Sequence, residues 1–237
     1  MGHDPVSMPR VNTTQAIKDL ILARNLHPGD PMPSEAELVT LLGVSRSSLR
    51  ESVRTLVALD ILEVRHGTGT FVGQMSMRPF VEAMAFRGQL LPGDDFEALR
   101  QVIEVRTALD LALAASIVEQ LAGGDPDDLY QLCGVMERAA QRGENFMEAD
   151  RAFHLGLANR LGNELYGELV AAFWDVHGLI GPRLGVPTPR DIQDTAVAHR
   201  SMLDAAVAGD LESYLAAVGA HYAPLMRVLD QVRKRTA

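Results

Sequence analysis

The last two thirds of this chain carry only helical periodicity, and that feature limits its possible folds more than any other. Seven stretches after residue 79 space their apolar residues three and four apart. These stretches are 80–90, 96–122, 126–143, 145–161, 164–181, 189–208 and 211–235. Short breaks rich in Gly, Pro and Asp separate them. Because no stretch there alternates as a strand does, we expect an all-helical antiparallel bundle.

The N-terminal part of the chain combines short helices with clear start and stop signals. Residues 13–25 have helical spacing, and the segment HPGDPMP after them ends that helix with three prolines and a glycine. Ser34 followed by Glu37 has the spacing of a capping box, in which each side chain bonds the other residue's backbone N–H. The short helix that begins there is expected to stop at Gly43, since glycine readily adopts a left-handed conformation.

A third helix and a hairpin follow directly. Ser45 is positioned to be the N-cap of a helix over residues 46–59. Two short helices joined by a glycine turn form a helix-turn-helix. Over residues 62–72 apolar and polar residues alternate around Gly67 and Gly69, and this pattern predicts a β-hairpin, the wing.

The predicted fold class is therefore mainly α, with two domains. A length of 237 residues suits two domains of ordinary size. We assign residues 11–75 to a winged helix-turn-helix, 76–95 to a linker and first helix, and 96–237 to the helical domain. Residues 1–10 read as a disordered lead-in without the apolar core of a signal peptide.

Charge is distributed unevenly along the chain. The net charge is −9, yet residues 1–75 hold seven Lys/Arg against eight Asp/Glu, and residues 76–237 hold fifteen against twenty-three. A DNA reader needs local positive charge rather than a basic whole, so this composition permits a nucleic-acid partner. Cys133 is the single cysteine, which excludes an internal disulfide and favours a reducing cytoplasm. No apolar run reaches about 18 residues, so we expect no membrane span.

The start of the third helix carries the residues best suited to contact DNA. Arg46 and Arg50 are four apart and so share a helical face, and arginine can pair with guanine or clamp a phosphate. The hydroxyls of Ser45 and Ser47 are small enough to lie close to the DNA backbone. The hairpin tip at 66–69 is thin enough to enter a minor groove. The alternative is that these arginines only form a solvated helix face.

The string PSEAELVTLLGVSRSSLRESVRTLVALDILEVRHGTGTFV closely resembles the N-terminal domain of the GntR family of bacterial repressors. That family shows P-S-E-x-x-L, G-V-S-R-x-x-[VL]-R-E and G-x-G-x-F-V in this order. The resemblance implies DNA contacts from the third helix and the wing, at Ser45, Arg46, Ser47, Arg50, His66 and Gly67. Many members carry an arginine after P-S-E, where this chain has Ala36, so we expect one DNA contact to be missing.

Four residues of the helical region have the chemistry of a metal site. Asp150 and His154 are four apart on one helix, and His199 and His221 lie on two later helices. One carboxylate and three imidazoles suit zinc, nickel, manganese or iron. Helical bundles build such sites from inward-facing residues on adjacent helices. Because a lone helical histidine is more often a core or surface residue, that interpretation stays open for each.

Residues 96–235 resemble the FCD ligand-binding domain of the FadR subfamily, through the motifs VRTALD, DRAFH, LGN, AHRSML and AHY. In metal-binding members the Asp and His of D-x-x-F-H and two later histidines hold the ion, and the four residues above match them. Arg106 matches a residue that lines the effector pocket, where it would clamp a small carboxylate. The alternative is a salt bridge from Arg106 to Glu104 or Asp110.

These features predict a homodimeric DNA-binding transcriptional regulator, a repressor by family analogy, and not an enzyme. A small organic acid, bound at a divalent metal and at Arg106, would control its affinity for a near-palindromic operator. A metal-dependent enzyme acting on a small organic acid would use the same ligands. Against it, no motif supplies a general base or nucleophile, and catalysis does not explain the winged module. A metal-free protein whose helical domain only dimerises is the third possibility.

Overall fold

A computed structural model of the protein describes residues 12–90, 96–180 and 189–236 and divides the chain into two compact units. The units are Met1–Pro79 and Phe80–Ala237, so their boundary falls inside the stretch predicted to be a linker and first helix. The predicted lead-in over residues 1–10 lies outside the described residues. The described part of the chain is mainly helical, as the periodicity predicted.

The first unit has the predicted order of three helices and a hairpin. Its elements are α1 (Thr13–Ala23), α2 (Glu35–Leu42), α3 (Arg46–Ala58), β1 (Leu62–Arg65) and β2 (Gly69–Val72). The two strands pair antiparallel, with Leu62 opposite Val72. Both residues are buried beside Ile17, Leu49 and Leu56, and this cluster joins the helices to the hairpin.

Local signals set the ends of the helices in this unit. The capping box at the start of α2 is present: the Glu37 side chain accepts from the Ser34 backbone N–H, and Ser34 Oγ accepts from the Glu37 N–H. Gly43 ends α2 in the left-handed region with φ 66°. Ser45 caps α3 through its hydroxyl, which accepts from the Ser48 N–H at 3.2 Å. These contacts confirm the predicted boundaries.

The proline-containing loop between α1 and α2 also joins the hairpin. The Gly29 N–H donates to the Val72 carbonyl, the Val72 N–H donates to the Asp30 carbonyl, and Pro31 forms an isolated antiparallel bridge with Phe71. The segment therefore lies along β2 as a short third edge. The sequence predicted only a break there.

The second unit is a bundle of helices. They are α4 (Arg78–Leu90), α5 (Glu97–Leu121), α6 (Asp127–Gln141), α7 (Met147–Asn159), α8 (Glu164–Ile180), α9 (Pro189–Ala208) and α10 (Leu211–Thr236), with α4 beginning at the unit boundary. Helix α10 packs on α9 and α5, α6 packs on α9 and α7, and α8 packs on α7 and α5. Within the described ranges, no helix is both long and apolar enough to cross a membrane.

The interior of this bundle is apolar with a polar exception. Large apolar side chains such as Leu99, Ile103 and Met202 are almost fully buried. Among the described residues, six arginine, aspartate and histidine side chains are buried there, and burial of such groups requires partners. They are Arg100, Arg106, Asp150, His154, His199 and His221. Arg100 is paired with Asp230 at 2.6 Å, and the other five belong to one region, described next.

Candidate metal centre and nucleic-acid interface

The four predicted metal ligands converge at one point inside the bundle. Asp150 and His154 lie one turn apart on α7, His199 lies on α9 and His221 lies on α10. All four are buried, and one donor atom from each lies within 4.8 Å of the others. Helix packing thus brings together residues that are up to 71 positions apart in the chain.

The distances between the donor atoms match those around a shared ion. Asp150 Oδ1 lies 2.9 Å from His199 Nε2 and 3.4 Å from His154 Nε2. His154 Nε2 lies 3.2 Å from His221 Nε2. Nitrogen and oxygen ligands at about 2.0–2.2 Å from a transition metal stand about 3.0–3.4 Å from one another in tetrahedral or octahedral geometry. The donor set therefore fits a divalent transition metal.

The hydrogen bonds of His199 favour the same interpretation. Its Nδ1 lies 2.8 Å from the Thr195 carbonyl oxygen, which can only accept, so Nδ1 carries a proton and donates. In a neutral ring Nε2 then offers a lone pair toward the other ligands. A lone pair 2.9 Å from a carboxylate oxygen is unfavourable unless a proton or a cation lies between them.

The charge states of Asp150 and His221 are those that metal binding requires. Burial alone would raise the pKa of Asp150, but His199 and His154 hold that pKa well below the ordinary value. Burial, together with the neighbouring imidazoles, lowers the pKa of His221 well below its ordinary range. The cluster thus combines an ionised carboxylate with a neutral imidazole at His221, and both forms can donate to a metal.

A second carboxylate stands behind His154. Asp110 Oδ2 on α5 lies 3.7 Å from His154 Nδ1, on the ring edge away from the cluster. The Tyr222 hydroxyl donates to the same Asp110 oxygen at 2.5 Å. From the sequence, Asp110 was only an alternative salt-bridge partner of Arg106. Helical spacing could not predict the contact between Tyr222 and Asp110, because these residues are 112 positions apart in the chain.

Arg106 is buried beside the cluster and has no charged partner among the residues that the structure describes. Its side chain is 4% exposed, and its guanidinium carbon lies 4.4 Å from the ring centre of Trp174 and 5.6 Å from that of Tyr222. Among the described residues no hydrogen bond reaches its Nη2 atom. The alternative salt bridges to Glu104 and Asp110 are absent within the described part of the chain. A buried, unpaired guanidinium is costly, so this site favours an anion.

Helix α8 lines the same region. Trp174 is 4% exposed and stacks with the Arg106 guanidinium. The ring of His177 lies 5.5 Å from that of Trp174. Burial, and then the charge of Arg106, lowers the pKa of His177 to about 4, so this ring is neutral near pH 7. Cys133 is fully buried in the bundle, where burial raises its pKa to about 11.

The predicted DNA-contacting residues of α3 lie at its start and point to solvent. Ser45, Arg46, Ser47 and Arg50 are all exposed. Arg46 forms no ion pair with any described residue. The Arg50 guanidinium bonds both carboxylate oxygens of Glu35 on α2, with Nε–O distances of 3.1 Å. Among the described residues Arg46 thus has no acidic partner, whereas the Arg50 guanidinium is paired with Glu35.

The hairpin tip presents the two predicted wing residues. His66 and Gly67 are exposed, and Gly67 has φ 76°, a left-handed conformation that glycine adopts without strain. Arg65 beside them pairs with Glu63 at 2.8 Å and lies over the Phe71 ring. The tip is therefore a narrow turn whose nearest arginine is held against the strand.

Comparison with known proteins agrees with both units. Residues 9–72 match the family model described as "Bacterial regulatory proteins, gntR family", and residues 101–224 match the FCD domain. An uncharacterized HTH-type transcriptional regulator of Mycobacterium tuberculosis is 30% identical over 235 residues, covering 95% of this chain and 91% of the relative. The galactonate operon transcriptional repressor of Escherichia coli is 25% identical over 178 residues, covering 75% and 78%.

A solved structure supports the fold over nearly the whole chain. A GntR protein of Streptococcus agalactiae superposes with a TM-score of 0.62 at 28% identity, covering 91% of this chain and 97% of that one. The family models together cover the winged helix-turn-helix and most of the helical unit, in the order observed here. The protein therefore belongs to the GntR family, as a DNA-binding transcriptional regulator with a C-terminal FCD domain of the FadR type, and it is not an enzyme.

Proposed function

We propose that the start of α3 and the wing read a near-palindromic operator as parts of a homodimer. The supporting observation is the exposure of the α3 N-terminus, where two arginines stand one turn apart. The proposed contacts are Ser45, Arg46, Ser47, Arg50, His66 and Gly67. A recognition helix contacts base edges through its N-terminal residues, and two copies of it match a two-fold operator.

Binding of DNA would exchange the Glu35 partner of Arg50 for a phosphate or a base. An exposed ion pair contributes only about 0–1 kcal/mol, so the exchange costs little. Arg46 has no such partner to lose among the described residues. We therefore expect both arginines to contribute to operator affinity, with Arg46 contributing at least as much as Arg50.

Fluorescence anisotropy on an operator fragment tests the DNA contacts. Replacing Arg46 or Arg50 by Ala should weaken binding by about 1–3 kcal/mol, and loss of a phosphate contact should reduce the slope of log K against log salt by about 1. Arg142→Ala is the matched control, because Arg142 is also an exposed arginine paired with a glutamate, Glu144 at 2.7 Å. If Arg46→Ala and Arg50→Ala bind like this control, α3 is not the recognition helix.

We further propose that Asp150, His154, His199 and His221 hold a divalent transition metal. The observation that carries this proposal is that three donor–donor distances are 2.9 to 3.4 Å and that all four donor atoms lie within 4.8 Å of one another in a buried cluster. Zinc, nickel, manganese and iron all accept one carboxylate and three imidazoles. When bound, the ion supplies positive charge and open positions for oxygen ligands of an effector.

The effector that these residues favour is a small organic acid. Arg106 can clamp a carboxylate with two parallel hydrogen bonds, and its unpaired Nη2 is available for one of them. Trp174 holds the guanidinium plane from the side. The relative named for a galactonate operon is a repressor, and galactonate is a hydroxylated carboxylic acid. By the same logic, the acid bound here would lower operator affinity by preferring one conformational state of the protein.

Metal analysis and a thermal-shift screen test this second proposal. Protein purified without chelator should contain one equivalent of metal, and His199→Ala should lose it. Sugar acids, 2-hydroxy acids and dicarboxylates are then screened, and one should raise the melting temperature by mass action. Arg106→Lys keeps the charge but not the bidentate fork, so it should abolish that ligand shift while retaining the metal. A metal-free wild-type protein would instead favour a helical domain that only dimerises.

A further inference from the structure

We infer that Asp110 and Tyr222 form an outer pair that orients the metal ligand His154. The inference rests on the proposed metal site and adds two residues to it. Asp110 would accept the Nδ1 proton of His154, and Tyr222 would hold the Asp110 carboxylate in place. Both are positioning residues, since neither reaches the donor atoms of the cluster.

The position of Asp110 relative to the His154 ring is the first observation. His154 Nε2 faces the cluster, 3.4 Å from Asp150 Oδ1 and 3.2 Å from His221 Nε2. Its other nitrogen, Nδ1, faces Asp110 Oδ2 at 3.7 Å. The imidazole therefore lies between the cluster on one side and a carboxylate on the other. At 3.7 Å the two atoms are within ion-pair distance but beyond hydrogen-bond distance, so the inferred hydrogen bond requires them to approach by roughly half an ångström.

The contact between Tyr222 and Asp110 is the second observation. The phenol of Tyr222 on α10 donates to the Asp110 oxygen that faces His154. The Tyr222 side chain is 4% exposed and the Asp110 side chain 13%, so the pair is largely shielded from water. Tyr222 also directly follows the ligand His221 in the chain. Helix α10 thus supplies one metal ligand and, with the next residue, the support for another.

The three imidazoles of the cluster differ in what their Nδ1 atoms meet. His199 Nδ1 donates to a backbone carbonyl, and His221 Nδ1 makes no hydrogen bond with the described residues. His154 is thus the ligand whose second nitrogen faces a carboxylate. A carboxylate behind a ligating histidine fixes the tautomer and makes the ring a stronger donor, and its loss typically weakens metal binding about 10–100-fold.

The test measures zinc affinity of the full-length protein by competition with a chromophoric chelator. Asp110→Asn keeps the shape but removes the charge, and it should weaken zinc binding about 10–100-fold. Tyr222→Phe should weaken zinc binding in the same direction by a smaller factor, because the carboxylate remains but is less well held. Tyr222→Phe also carries the test if Asp110→Asn fails to fold.

A second Tyr–Asp pair in the same bundle provides matched controls. The Tyr130 hydroxyl on α6 donates to Asp204 Oδ1 on α9 at 3.1 Å, at an exposed position. Tyr130→Phe and Asp204→Asn remove the same kinds of group and should leave zinc affinity unchanged. The melting temperature of the metal-free protein is measured for all four variants. A purely structural role would lower that temperature without changing the zinc dissociation constant.

The visible spectrum of the cobalt(II)-loaded protein gives an independent readout. Reorientation of the His154 ring should shift the ligand-field bands of Asp110→Asn relative to wild type and to both controls. If wild type binds zinc tightly and Asp110→Asn has the same zinc affinity and the same cobalt spectrum, this inference is overturned. The proposed metal site would still stand. Failure of the wild-type protein itself to bind zinc or cobalt would overturn the metal site and this inference with it.

Discussion

At Gly73 the backbones of two neighbouring turns come too close for any side chain. A Cβ atom built there would lie 2.2 Å from the Asp60 carbonyl oxygen. Asp60 itself has φ 56°, and its side chain accepts from the backbone N–H and the hydroxyl of Ser76. The exit from the hairpin therefore packs directly on the turn between α3 and β1. The close approach, rather than a special backbone angle, requires the glycine.

Replacing Gly73 by Ala should accordingly destabilise the protein. Overpacking against backbone that cannot move typically costs about 1–3 kcal/mol in the free energy of unfolding. Gly219→Ala is the opposite control, because the space around Gly219 in α10 is open and alanine favours a helix by about 1 kcal/mol. In urea denaturation, Gly73→Ala should unfold at a lower urea concentration than wild type, and Gly219→Ala at a higher one. A Gly73→Ala midpoint equal to wild type would show that the Asp60 turn can relax.

The pair Arg106 and Asp110 shows that the charge and spacing of two residues do not by themselves determine which groups they contact. The two are four apart on α5, a spacing that permits an ion pair on one helix. Arg106 instead stacks on Trp174, and Asp110 accepts from Tyr222. Side chains on other helices decided between these arrangements, because they offer an aromatic face and a buried hydroxyl that α5 by itself lacks.

Among the elements, the loop between α1 and α2 departs most from expectation. Its prolines and glycine correctly ended α1, but the same segment pairs with β2 through Gly29, Asp30 and Pro31. Proline cannot donate to a ladder and is confined to sheet edges, which is where this segment lies. Periodicity could not predict the pairing, since a single bridge has too few residues to alternate.

The capping box of α2 is an element-scale feature that stability measurements can test. Ser34→Ala removes the N-cap hydroxyl and should cost about 1 kcal/mol of stability, because the N-terminal N–H groups of α2 lose their acceptor. Ser201→Ala is the control: Ser201 Oγ donates to the Val197 carbonyl within α9, a bond that a helix does not need. Calorimetry should show a lower melting temperature for Ser34→Ala and little change for Ser201→Ala. Equal melting temperatures would exclude a stabilising cap.

Removal of the proposed metal should lower the melting temperature of the whole protein, because its ligands belong to the helical unit. A ligand that binds only the folded protein stabilises it by about 2.7 kcal/mol at a hundredfold excess over its dissociation constant. The melting temperature should therefore rise with zinc and fall again with a chelator. His154→Ala should not respond to zinc, whereas His27→Ala, whose ring is exposed in the first unit, should respond like wild type. A zinc response in His154→Ala equal to wild type would place the ion elsewhere.

Much of the architecture was predictable because its signals are local. Helix periodicity, the capping box at Ser34, the stop at Gly43 and the cap at Ser45 each depend on residues within a few positions of one another. The family motifs have the same local character, and the matches over residues 9–72 and 101–224 confirm the family and the fold class that they predicted. The seven helical stretches after residue 79 correspond to α4–α10 with small differences at their ends.

The sequence by itself thus determined the elements, their order, the family and the residue types of a candidate metal centre. Only the tertiary structure decided the distances among Asp150, His154, His199 and His221, the Glu35 partner of Arg50 and the place of Asp110 behind His154. Glu35 and Arg50 lie on the consecutive helices α2 and α3, whereas the contacts inside the bundle join helices that are distant in the chain. Their geometry depends on how α5, α7, α9 and α10 pack, because packing sets which rotamer each side chain can adopt and which atoms it meets.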